Sequence, residues 1–305
     1  MNILVFVLMA FIALIGLPPH WSILGGVLFS LLLVKPDVIK KHGKSWSSKL
    51  LQLSIILLGA GLNFNSVLKE GFSGIILTFF SILLVFIFGH FLALFFKVPS
   101  PLSTLISAGT SICGGSAISA ISPILKADAL TMATALGIVF ILNALAVFLF
   151  PPIAHSFEFS QLQFGTWAAL AIHDTSSVVA ASQIYGEEAL KVGTTLKLTR
   201  ALWIIPLSLI FSYLKKSDNK VKIPWFVLAF LLVSLVFTFN SNFHFLIPYF
   251  TKTSKIGLSL TLFLIGLSLD KNQIRQIGLR PVLFGVSLWV VTMLGSFMYV
   301  RFALQ

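Results

Sequence analysis

The chain is poor in acid, in charge of either sign and in cysteine. Only 9 of its 305 residues are Asp or Glu, against 21 Lys or Arg, and charged residues make up 10% of the total. Soluble domains carry about 25% charged residues, so this polar shell is too thin to solvate a globule of such length. The lone cysteine, Cys113, excludes an internal disulfide and any cysteine-based zinc or iron–sulfur framework. No Gly-x-x-x-x-Gly-Lys-Ser/Thr run occurs, so ATP does not act on the chain directly and no cofactor is indicated. The net charge of +12 would suggest nucleic acid in a soluble protein. In a membrane protein it has a plainer cause, because cytoplasmic loops collect Lys and Arg.

What the chain does have is apolar length. Hydrophobic residues are 57% of the sequence, and the mean hydropathy is +1.01. Apolar runs recur at 3–17, 21–34, 50–62, 72–96, 130–150, 190–214, 225–239, 256–269 and 282–300. Several approach the roughly 20 residues that cross a bilayer core, and shorter ones can draw on their flanks. The expectation is an all-α polytopic membrane protein, one transmembrane domain over 1–305 with the lipid bilayer as its solvent. The run at 3–17 has no preceding Lys or Arg and no small-residue cleavage site, so it reads as a retained helix.

Charge bias orients the spans. Lys35, Lys40, Lys41, Lys44 and Lys49 in 35–49, four lysines in 215–222, and Lys271, Arg275 and Arg280 in 270–281 mark three cytoplasmic loops. The cation-poorer loops 63–71 and 240–255 fall outside.

Two polar stretches interrupt the apolar pattern. The first reads Gly109-Thr110-Ser111-Ile112-Cys113-Gly114-Gly115-Ser116-Ala117 and the second Ile172-His173-Asp174-Thr175-Ser176-Ser177-Val178-Val179-Ala180-Ala181. At an offset of 60 residues Ser116 falls on Ser176, Ala120 on Ala180, Ser122 on Ser182 and Thr134 on Thr194. A weaker echo relates 53–65 to 258–270, each with a Gly-Leu pair ending an apolar helix. Matching polar breaks in two halves are a sequence pointer to a transporter's binding site. If 103–124 and 166–185 are re-entrant hairpins, Lys126 lies inside and the cation-free linker 152–165 outside, as the charge rule prefers. If they are broken spanning helices, that linker lies inside. The hairpin reading also makes the copies enter from opposite faces. It yields inverted repeats, 47–152 and 166–304, with about nine full spans plus two discontinuous elements.

Irregular backbone at membrane depth survives only where protein or a watery cavity surrounds it. The breaks fall at Cys113-Gly114-Gly115 and His173-Asp174-Thr175, where Ser116 and Ser176 can cap the helices that follow. Their N-termini suit an anion; alternatively, the small residues only allow close packing. Asp174, Lys197 and Arg200 lie inside apolar segments, where a charge faces a cavity or a partner. Lys197 and Arg200 share a helix face with Gly193. Two cations against one carboxylate favour an anionic solute; the alternative is an Asp174–Arg200 pair that only holds the fold. His173 is either a proton carrier or a hydrogen-bonding partner at the turn. Asn143 either bonds across to a neighbouring helix or lines the cavity.

On the Gly-Thr-Ser-Ile-Cys-Gly run at 109–114, the stretch 172–181 and Lys197-Leu198-Thr199-Arg200, the chain resembles the bacterial UPF0324 (YeiH-like) family, whose members are labelled sulfate exporters. Where relatives often read His-Glu this chain has His173-Asp174, and Gly115-Ser116 replaces a more alanine-like pair. The family is similar to the cation/proton antiporter and anion transporter superfamily, which includes bile-acid and glutamate symporters. The resemblance implies two discontinuous elements meeting near the bilayer midplane, elevator-like movement and a bacterial inner-membrane location.

The resulting expectation is a secondary active transporter, an exporter of a small anion such as sulfate, coupled to protons or sodium. Its site would comprise Ser111, Cys113, Gly114, Gly115, Ser116, His173, Asp174, Thr175, Ser176, Ser177, Lys197 and Arg200, with no metal. A membrane-embedded enzyme or cation-coupled subunit, and a passive channel, are the alternatives; a homodimer is left open.

Overall fold

The computed structural model describes residues 37–215, 225–268 and 278–304, together with Ser22, Gly25, Gly26, Leu28, Phe29 and Ser30. The apolar run 3–17, most of 21–34, Lys35, and most of the cationic loops 215–222 and 270–281 lie outside the described residues.

Among the described residues every regular element is helical. Helix α1 (Asp37–Leu58) runs into a 3-10 turn, Gly59–Gly61, and is followed by α2 (Phe64–Phe96). Next come α3 (Ser100–Ser111), α4 (Gly115–Ile121), α5 (Ala129–Ser156), α6 (Gln161–Ala171) and α7 (Thr175–Tyr185). Helices α8 (Glu187–Leu202), α9 (Ile204–Lys215) and α10 (Trp225–Phe239) lead to a second 3-10 turn, Ser241–Leu246, then α11 (Ile247–Ser268) and α12 (Leu279–Ala303).

Among the described residues, four stretches are long and apolar enough to cross a membrane: Gly74–Phe96, Leu130–Ser156, Glu187–Lys215 and Leu279–Ala303. A fifth arises if Trp225–Phe239 and Ser241–Thr261, bent by 113°, count as one span. Helix α2 shows why such stretches belong in lipid. Its 33 residues reach about 50 Å at 1.5 Å per residue, and Ile76, Phe91, Leu94 and Phe95 all stand exposed on it. A helix apolar all round has no stable place in water.

Charge-rich stretches do not end helices here. The loops expected at 35–49, 63–71 and 240–255 are largely helical, absorbed into α1, α2 and α11 with its 3-10 turn. Lys is a good helix former, so a stretch that carries charge can continue as helix. The actual stops are local. Lys97, Lys126 and Glu158 each take positive φ, and the next residue's N–H bonds back across the turn: Val98 to Ala93 O, Ala127 to Ser122 O and Phe159 to Ala154 O, each at 3.0 Å. These are Schellman-type ends that satisfy otherwise orphaned carbonyls.

Helix α5 begins with Asp128, whose Oδ1 accepts the Thr131 N–H at 2.6 Å. That hydrogen bond holds the exposed carboxyl below the usual carboxylate range. A depressed folded value stabilises the fold above the unfolded pKa of about 3.9, and the gain disappears as pH falls through the folded value. Asp128→Ala should therefore melt below the parent at pH 7, with the gap narrowing as pH falls through the folded value of the carboxyl.

The chain packs as two apolar bodies. The larger gathers residues of α2 to α9 and α12, among them Ile106, Ile118, Val139, Trp167, Val178 and Leu288. The smaller is built on α1, α10 and α11, which carry Ile55, Phe230 and Leu264 in two adjoining clusters. Helices α1 and α11, which hold the 53–65 and 258–270 echo, pack against each other, and Ser254 Oγ donates to Ser54 O at 2.7 Å. Leu58 and Leu258 meet Val179 and Leu190 where the bodies touch.

Both discontinuous elements are helical hairpins. In a continuous helix Gly109 and Ile118 would stand about 13 Å apart along the axis. Instead a Cβ on Gly109 would lie 2.9 Å from Ile118 Cδ1, so α4 folds back on α3. Phe164 of α6 and Tyr185 of α7 stack with ring centroids 4.0 Å apart, where a straight helix would hold them roughly 30 Å apart.

Candidate functional site

The two hairpin tips meet. Gly114 adopts φ +60°, and a Cβ there would sit 3.2 Å from Asp174 Cβ and 3.3 Å from Val139 Cγ1. Glycine is required on both counts, since it alone tolerates that backbone and that approach. The Gly114 N–H closes the first tip on Gly109 O at 2.9 Å. Asp174 anchors the second: its N–H donates to Asn143 Oδ1 of α5 at 3.1 Å.

Helix α8 supplies the charge. It comes close to α6 at a pair of glycines, where a Cβ on Gly165 would be 2.8 Å from Ala189 O and 3.0 Å from Gly193 N. Lys197 and Arg200 follow Gly193 by four and seven residues, on the same face, and so reach past the end of α6. Lys197 Nζ donates to Ala169 O at 3.2 Å and Ile172 O at 2.6 Å.

Arg200 reaches both hairpins. Its Nε donates to Ser111 O, one terminal nitrogen to Ala169 O at 3.1 Å and Leu170 O at 2.6 Å. The other donates to Thr110 O and Ser81 Oγ, both at 3.4 Å. A guanidinium has five N–H groups, so all are engaged. Both cations are fully buried, and the carbonyls they bind end α3 and α6, where each helix carries about half a negative charge.

The Asp174–Arg200 pair, the alternative to an anion site, is not formed among the described residues. Asp174 instead N-caps α7, accepting the Ser176 N–H at 3.1 Å and the Ser176 hydroxyl. This also corrects the expected capping roles of the serines. Ser116 and Ser176 are second in their helices, behind Gly115 and Thr175, too far inside to cap. Helix α4 starts at Gly114 without a side-chain cap.

The other expected residues divide by exposure. Ser111, Cys113, Thr175, Ser176 and Ser177 are buried around the junction, Gly115 is half-buried and Ser116 is exposed. His173 is 1% exposed, and among the described residues neither ring nitrogen has a hydrogen-bond partner. Its ring lies 6.4 Å from that of Trp289, whose Nε1 donates to Ala171 O at 3.1 Å. Ser81, Thr110 and Trp289 escaped the sequence reading. Ser81 and Trp289 lie in apolar helices with no charge nearby to flag them, and Thr110 sat unremarked inside the first polar stretch. Among the described residues no group of three His, Cys, Asp or Glu gathers as a metal site would require.

The chain matches the family described as "Conserved hypothetical protein 698" over residues 3–285. It is 46% identical over 268 residues to a "UPF0324 membrane protein" of Bacteroides thetaiotaomicron, covering 86% of this chain and 80% of that one. A "UPF0324 membrane protein" of Porphyromonas gingivalis is 43% identical over 289 residues, 93% of this chain and 87% of its own length. One from Bdellovibrio bacteriovorus is 41% identical over 273 residues, with 87% and 83% covered. No solved structure matches the chain.

Proposed function

Because the chain belongs to the UPF0324 membrane protein family, we propose that it is a secondary active transporter that exports a small anion across a bacterial inner membrane. The observation that carries this reading is the buried meeting of two hairpin tips, Cys113-Gly114 against Asp174, backed by Lys197 and Arg200. With both cations protonated and Asp174 ionised, one positive charge is left over. The partial charges of four helix ends cancel in pairs: α3 and α6 end there, α4 and α7 begin there.

In this reading the hairpins are re-entrant, 47–152 and 166–304 are inverted repeats, and the fold has about nine full spans. The larger apolar body then carries the solute by moving against the smaller, with a proton or sodium gradient driving it. The packing of α1 on α11 supports the repeat assignment. Sulfate, organosulfur and carboxylate anions are all candidate solutes.

Counterflow of labelled small anions in proteoliposomes tests this. Saturable exchange is expected, and Lys197→Gln, which removes the surplus charge, should weaken the apparent affinity by about tenfold or more. A folded parent that exchanges no anion would sink the proposal.

A further inference from the structure

The charge that drew attention to this junction is already spent on the protein itself. Arg200 has no N–H left for a solute, because each of its five donors meets a carbonyl or the Ser81 hydroxyl. A solute at the junction therefore meets no guanidinium fork, the group best suited to gripping a doubly charged oxyanion.

Neutral groups are what remain unpaired. Asn143 is 4% exposed, and its Nδ2 has no hydrogen-bond partner among the described residues. Its Oδ1 is held by the Asp174 N–H, which fixes the carboxamide at the second tip. His173, the next residue along that tip, has both ring nitrogens unpartnered, and so does the Thr110 hydroxyl beside the first tip. Burying such groups without partners is costly. Buried polar atoms normally have partners, and these four lie on the two tips and on α5, which contacts the second tip.

Resting on the transporter reading, we propose that the solute is a monoanion, hydrogen-bonded by Asn143 and His173 and held by the junction's one surplus positive charge. With Lys197 and Arg200 protonated and Asp174 ionised, the count of charges sets the valence. A singly charged solute leaves the buried junction neutral. A dianion such as sulfate would leave it one negative charge in excess, in a setting where uncompensated charge is expensive. Asn143 and His173 then serve as specificity residues, supplying donors to an oxyanion edge, while Lys197 and Arg200 shape the field without touching the solute.

Two variants separate this from a structural role. Asn143→Asp keeps the Oδ1 acceptor for Asp174 N–H, while it removes the free donors and cancels the surplus charge. His173→Phe keeps a ring beside Trp289 and removes both unpaired nitrogens. The measurement is proteoliposome counterflow with formate, nitrate and chloride against sulfate and succinate, at matched ionic strength, with melting temperatures alongside. The expected result is exchange of at least one monoanion with an apparent affinity tenfold or more above that of either dianion. Both variants should weaken it at least tenfold, and His173→Phe should melt no lower than the parent. Sulfate exchange as tight as any monoanion's, or monoanion exchange untouched by both variants, would overturn this inference and leave the transporter reading standing. Exchange of no anion by the folded parent would remove both.

Discussion

Replacing Arg200 with leucine is expected to lower the melting temperature in detergent by about 5–15 °C, the largest stability effect of any single change at the junction. The side chain is fully buried and joins α2, α3, α6 and α8 through one group. Leucine fills much of the volume but leaves the carbonyls of Thr110, Ser111, Ala169 and Leu170 facing an apolar surface. Breaking a buried charged network by removing one partner costs about 3–5 kcal/mol. Arg200→Lys should fall between, because an ammonium has three donors and no fork. Differential scanning fluorimetry and gel filtration of the three proteins read this directly. A leucine variant melting with the parent would mean that the guanidinium contributes nothing to holding the hairpins together.

Gly114→Ala is expected to cut solute exchange on the order of tenfold or more while the protein still folds. A side chain at φ +60° costs about 1–3 kcal/mol, and its Cβ would press on Asp174 and Val139 at the point where the tips meet. The strain falls where the tip meets Asp174 and the Val139 side chain of the larger apolar body. Gly115→Ala is the matched control. That residue opens α4 with ordinary backbone, and the nearest atoms to its Cβ would be side-chain atoms of Phe140 and Leu136 at 3.3–3.4 Å, which need to give only slightly. Exchange in that variant should stay within about twofold of the parent. Equal losses in both variants would show that general crowding of the hairpin, and not the tip contact, limits transport.

Much of the site was legible because polarity is costly in an apolar chain. Every break that the hydropathy pattern leaves unexplained had to be a turn, a partner or a site, and the stretches at 109–117 and 172–181 are where the structure turns back on itself. The spacing of Gly193, Lys197 and Arg200 likewise announced one helix face, because α-helical geometry is local.

Partners were not legible. Asp174 and Arg200 are the obvious opposite charges, yet Asp174 caps α7 and Arg200 bonds carbonyls of two hairpins. Carbonyls are present at every residue, so no sequence pattern distinguishes those left unpaired at the ends of α3 and α6. The close approach at Gly165 and Gly193, which decides how far the α8 cations reach, is also a property of packing.

Composition and periodicity alone determined a helical membrane protein, its two polar breaks and the identity of the charged residues among them, because those depend on burial cost and local geometry. Tertiary structure alone decided that the breaks are hairpins, that their tips touch through Gly114 and Asp174, and that the cations serve carbonyls while Asn143 Nδ2 and both His173 ring nitrogens have no partner among the described residues. Contacts between residues 60 or more apart in sequence are set by how whole helices pack, and no local window of sequence contains that information.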